Sequence, residues 1–142
     1  MTTDPFDLER FVAAQAPVYP QVRAELERGR KASHWMWFVF PQIAGLGSSP
    51  TARAFAIRSP DEARAYLAHP ALGKRLFECI DLVLAVEGRS AHEIFGSPDD
   101  MKFRSSLTLF RAAAPEEARF DAGLRRYYAG KADERTLELL QA

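Results

Sequence analysis

The sequence predicts a mainly α-helical protein, a single compact multi-helix domain with at most minor β structure. Three observations carry this. Helix-opening signals of the form Ser-Pro-acid or Asp-Pro recur along the chain, at Asp4-Pro5, Ser59-Pro60-Asp61 and Ser97-Pro98-Asp99. Between them, apolar residues return at three- and four-residue spacing. No segment reads convincingly as a pair of strands, and no repeat, low-complexity tract or linker divides residues 1–142.

Composition narrows the function. Nineteen basic residues balance nineteen acidic ones, so no overall field draws the protein to nucleic acid or to an anionic membrane. Cys79 is the single cysteine, which excludes an internal disulfide and a multi-cysteine zinc site and suits a reducing cytoplasm. The N-terminal residues lack the basic and apolar regions of a signal peptide, so a cytoplasmic location is expected. Oligomeric state is not readable.

In chain order, Asp4 and Pro5 predict a cap and first helical residue, followed by Phe6, Leu8, Phe11 and Val12 on one face. A second helix runs from about Pro20 to Arg28 and closes on Gly29. Then comes the centre of the chain, Ser33-His34-Trp35-Met36-Trp37-Phe38-Val39-Phe40-Pro41-Gln42. From Trp35 to Phe40 nothing is polar, so the segment must be packed within protein, and it is far shorter than the roughly 20 residues a bilayer crossing needs. Periodicity alone fits a buried six-residue strand equally well, but with no partner strand readable a helix is favoured, Ser33 capping it at His34 and Pro41 stopping it. At least one tryptophan belongs in the core.

Ser49-Pro50 and Ser59-Pro60 each predict a helix start, the second helix ending before Pro70. The longest helix runs from Pro70 or Ala71 to about Glu87, with Leu72, Leu76, Cys79, Ile80, Val83 and Leu84 inward and His69 as its cap. Ser90-Ala91-His92-Glu93 is a capping box. Ser97-Pro98-Asp99-Asp100 opens a helix to Phe110 whose core face is Phe103, Leu107 and Phe110. Two further helices span Pro115 to about Ala129 and Asp133 to Leu140.

Chemistry can reside in few places. His34 is the best-placed group titrating near neutral pH. The glycines of Gly45-Leu46-Gly47-Ser48 make either an ordinary turn or a phosphate-holding loop. Lys102, Ser105, Ser106 and Thr108 form a hydroxyl-rich helix edge, which serves either close helix packing or ligand contact. Lys102 in particular contacts a ligand or pairs with Asp99 one turn earlier. The run Arg28–Lys31 is a solvated turn or an anion-binding edge. The three histidines lack ligand spacing, so no metal site and no cofactor are expected.

The run His34–Gln42 with Gly45–Ser48, together with Tyr66–Gly73, Ile94-Phe95-Gly96 and Lys102–Phe110, resembles an uncharacterised bacterial domain-of-unknown-function family, sometimes labelled calpastatin. That family is grouped with the mainly helical YbiA-like or NADAR superfamily, whose Lys-Phe motif Lys102-Phe103 resembles. Ser105-Ser106 stands where Gln-Asn tends to occur, and no glutamate lies between Ser33 and Gly47. The resemblance implies an enzyme acting on a nucleotide-like ribosyl compound, related to NAD, ADP-ribose or riboflavin precursors, by N-glycoside hydrolysis. The alternatives are a non-catalytic nucleotide-binding module and a protein-interaction module. For hydrolysis, His34 or Asp99 would move the proton and Lys102 would contact phosphate or ribose. Trp35 and Trp37 would flank the base, with Gln42, Gly45, Gly47, Ser48, Ser105, Ser106 and Thr108 as further ligand contacts.

Overall fold

A computed structural model describes residues 4–141; Met1–Thr3 and Ala142 lie outside the described residues. Ten helices are present among them: α1 (Glu9–Gln15), α2 (Tyr19–Glu27), α3 (Met36–Val39), α4 (Pro50–Ala54), α5 (Pro60–Ala68), α6 (Pro70–Leu84), α7 (Ala91–Phe95), α8 (Asp99–Ala113), α9 (Ala118–Tyr128) and α10 (Glu134–Gln141). The protein is mainly α. The one β feature among the described residues is a parallel bridge joining Ile43 to Ile57, where Ala44 N–H donates to the Ile57 carbonyl and Ile57 N–H to the Gln42 carbonyl, both at 2.8 Å.

Two long helices organise the packing. α6 buries Leu72, Leu76, Cys79, Ile80 and Val83 against α2, α5 and α9. α8 has protein on nearly every side: Phe103, all residues from Ser105 to Phe110, and Ala113 are buried, and α5, α7, α9 and α10 surround it. The serines and threonine of α8 are thus buried among other helices. A helix enclosed by four others needs small side chains where backbones approach. Phe40, Phe95 and Phe103 meet edge to face or tilted, with centroids 4.6–5.9 Å apart, so the apolar segment is anchored to α7 and α8 by aromatic contacts.

Local capping follows the sequence at four starts. Ser49, Ser59 and Ser90 accept from the third residue of their helices, and His69 Nδ1 accepts from Ala71 and Leu72 N–H. Elsewhere the helix starts depart from it. α1 begins at Glu9, not Pro5, and Asp4 reaches forward to accept from Leu8 and Glu9 N–H at 2.8 and 3.0 Å. Ser33 caps nothing. Its hydroxyl donates to Glu25, and the expected helix from His34 contracts to the single turn of α3. α8 likewise starts without a Ser97 cap. α6 stops at Leu84, short of the expected Glu87, and α9 satisfies carbonyls at that end: Tyr127 Oη donates to Val83 O, and Arg126 to Leu84 O and to Val86 O just beyond the helix.

Candidate functional site

The short α3 turn sets the two tryptophans on different sides of the segment. Trp35 points into the protein and is 1% exposed; its indole N–H donates to Glu25 Oε1 at 2.9 Å. Trp37 stays half-buried at the surface. Expecting protein on all sides of the run was therefore too strong: Trp37 and Phe38 both keep an exposed part.

Glu25 holds the inner side. It sits on α2 with no exposed surface and accepts from Ala32 N–H, Ser33 N–H, the Ser33 hydroxyl, Trp35 Nε1 and Gln21 Nε2. Burial disfavours its charge, but these donors outweigh that penalty and hold the carboxyl down at about 2. A second polar anchor comes from Gln15, whose Nε2 donates to Phe38 O at 2.6 Å and to Tyr66 Oη at 3.0 Å. The segment is thus fixed by two buried polar side chains as well as by aromatic packing.

The outer side is a charge ladder. Lys31 Nζ lies 5.1 Å from the Trp35 ring centroid and 2.8 Å from Asp99 Oδ2. Asp99 Oδ1 is 3.5 Å from Lys102 Nζ, which in turn lies 5.1 Å from the Trp37 ring centroid. Each tryptophan thus faces a lysine, and one aspartate stands between the two cations. Lys102 therefore pairs with Asp99, one of the two roles left open by its sequence position, and also faces a ring.

Three neighbouring cavities meet at Trp37. One, of about 370 Å³, gathers Gln42, Gly47, Ser48, Lys102, Ser105 and Asp133. A second, of about 360 Å³, gathers Lys31, His34, Asp99 and Lys102. The third, of about 240 Å³, gathers Gln42, Gly45 and Gly47 with Arg53 and Arg58. The geometry thus brings His34 and Lys102 to one cleft. The loop is tight here: a Cβ on Gly47 would fall 2.5 Å from Ala52 Cβ, and Gly45, at φ +104°, lies against Leu139 of α10. The outer wall is also supplied by the C-terminal region, since Asp133 N–H donates to Thr108 Oγ1 at 2.9 Å while Arg104 donates to Lys131 O and Ala132 O.

Several expected site residues lie elsewhere. Trp35 is enclosed and hydrogen-bonded, so it is not a ligand platform. Ser106 is 1% exposed and lines none of the three cavities. Thr108 is fully buried; its hydroxyl donates to Arg104 O and supports Asp133, which makes it structural. Asp99 is held between two ammonium groups, one carboxylate oxygen towards Lys31 and the other towards Lys102. Glu25, Arg53, Arg58 and Asp133 were not foreseen, whereas Lys31 ends the basic run that the sequence leaves as either a solvated turn or an anion-binding edge. Among the described residues no group of three or more His, Cys, Asp or Glu side chains is placed to hold a metal, and no helix is long and apolar enough to cross a membrane.

Fold and cleft together define an all-helical domain whose central aromatic turn opens on one side into a cationic recess. The chain belongs to the family described as protein of unknown function (DUF1810), whose model matches residues 5–140. It is similar to the conserved hypothetical protein Rv1873 from Mycobacterium tuberculosis, solved as a crystal structure, at 58% identity over 98% of this chain and 99% of that one, with a TM-score of 0.96. A search of curated proteins finds no match.

Proposed function

We propose that the protein binds a nucleotide-like ribosyl compound in the cleft around Trp37. One observation carries this reading: the Lys102 ammonium sits over the half-exposed Trp37 ring at the meeting point of three cavities. A flat ring accepts a base, and the adjacent cation accepts a phosphate or ribose oxygen. Gln42 and the Gly47-Ser48 backbone add hydrogen-bonding groups on the same wall. N-glycoside hydrolysis remains the second reading, favoured by the exposed His34 imidazole lining the cavity that also contains Lys102. Asp99 is paired with two lysines, so the catalytic version rests on His34 for proton transfer and on Asp133, which lines the neighbouring cavity and also accepts from Thr136 at the start of α10, as the carboxylate.

The test is a thermal-shift screen with ADP-ribose, NAD, nucleotides and flavin precursors, repeated on Lys102→Met. A ligand at one hundred times its dissociation constant stabilises by about 2.7 kcal/mol. Without ligand the variant should melt only slightly below the parent, and it should lose the ligand response. Equal response in both proteins overturns the site. Release of free base from a bound ligand, abolished by His34→Ala, would distinguish the enzyme from the binding module.

A further inference from the structure

We propose that a separate cavity between α2 and the first turns of α6 binds a small phosphorylated molecule carrying two or more negative charges. The cavity, of about 450 Å³, is lined by Tyr19, Arg23, Lys74, Arg75 and Glu78 with Pro70 and Ala71, and shares no residue with the recess around Trp37.

Charge is the first argument. Three cations face one carboxylate here, a surplus of two positive charges in a chain whose formal net charge is zero. The carboxylate is already engaged, because Tyr19 Oη donates to Glu78 Oε1 at 2.5 Å. Burial, with Cys79 and Glu78 nearby, pushes the Tyr19 phenol well above its ordinary value, so it stays protonated and keeps donating.

Preorganisation is the second. Arg75 stacks on the Tyr19 ring, with Cζ 5.3 Å from the centroid, and donates to Oε1 of the buried Gln15 at 3.3 Å. Its guanidinium is therefore fixed before any ligand arrives, and a fixed fork suits phosphate oxygens. Lys74 has no carboxylate partner among the described residues, and Arg23 has only a loose, exposed pair with Glu27 at 3.8 Å. Both can turn to an anion without breaking a buried contact.

The backbone does not supply the site. Pro70 has no N–H, and the Ala71 and Leu72 N–H groups already donate to His69 Nδ1. Recognition falls to the side chains, which favours a ligand with several anionic oxygens. The volume is also in the range of ordinary small-molecule pockets, larger than a lone orthophosphate requires.

Pyrophosphate is the probe. Titrated into the isotopically labelled full chain, it should shift the amides of residues 19–23 and 71–78 saturably. Arg23→Gln combined with Lys74→Gln should weaken that binding at least tenfold, while Lys102→Met leaves it unchanged. Arg75 is spared because it also holds Gln15. Should the double variant fold poorly, Lys74→Glu alone, at an exposed position, should weaken binding in the same direction. Absence of saturable shifts, equal binding by the folded variants, or shifts confined to residues 37–58 and 102 overturns the proposal. Because the cavities share no residues, either site can fail without the other.

Discussion

Trp35 and Trp37 lie two residues apart in one apolar run, yet the structure treats them oppositely. Trp35 is enclosed, its N–H taken by Glu25 and its ring faced by Lys31, whose ammonium is itself held by Asp99 and by Ser33 O at 2.6 Å. Trp37 is half-exposed, its ring faced by Lys102 beside three cavities. Both have an aromatic face and a cation. The difference is a buried carboxylate behind one of them. A closed polar network makes one side of the turn an anchor, while the side without it is left able to receive something else.

The largest effect expected from breaking this contrast is on the anchored side. Phe40→Ala removes the ring that touches Phe95 and Phe103 and should cost about 3–5 kcal/mol in urea unfolding. A loss below about 1 kcal/mol would show that the anchor lies elsewhere.

Glu25→Gln comes next. The folded carboxyl titrates at about 2, below its ordinary 4.5, so its charge stabilises the fold fully above the unfolded value. That contribution, on the order of 3 kcal/mol at neutral pH, fades as pH falls from 4.5 towards 2. The variant should be less stable than the parent at pH 7, and the difference should narrow on acidification. Parallel stability curves between pH 5 and 2 would contradict the role given to Glu25.

The exposed side should respond weakly. Lys102→Met removes one 3.5 Å ion pair and one ring contact, so the ligand-free protein should lose about 1 kcal/mol or less. Acrylamide quenching offers the finest discrimination: Trp37→Phe should leave a single emission component shielded from quencher, and Trp35→Phe should leave the accessible one. Equal accessibility of the two would erase the comparison.

Local signals were legible at four helix starts. Ser49, Ser59, His69 and Ser90 cap as their sequence spacing predicts. Ser33 looks the same in sequence but is engaged by Glu25, eight residues earlier, an acceptor that spacing along one helix does not reveal. In α2 the readable stripe was Val22 and Leu26, and a glutamate beside it looks like ordinary surface. The same reason hid Trp35 from Trp37: a run with no polar residue has no periodicity to say which ring faces out. The recess was legible where residues lie one turn apart, as Asp99 and Lys102 do. Arg53, Arg58 and Asp133 join it only through tertiary folding. The hydroxyls of α8 were ambiguous for a different cause, since only the surrounding helices decide whether a small side chain lines a gap or fills one.

Asp133 and Leu139 stand against a loop formed far earlier in the chain, at Gly45 to Ser48. The recess is therefore a contact of high sequence separation, and loop-closure entropy has to be met before its outer wall can form. While the polypeptide is being made, the aromatic turn and α8 can already be present with one wall still unsynthesised. The outer wall of the recess is complete only once the C-terminal region has folded back onto that loop.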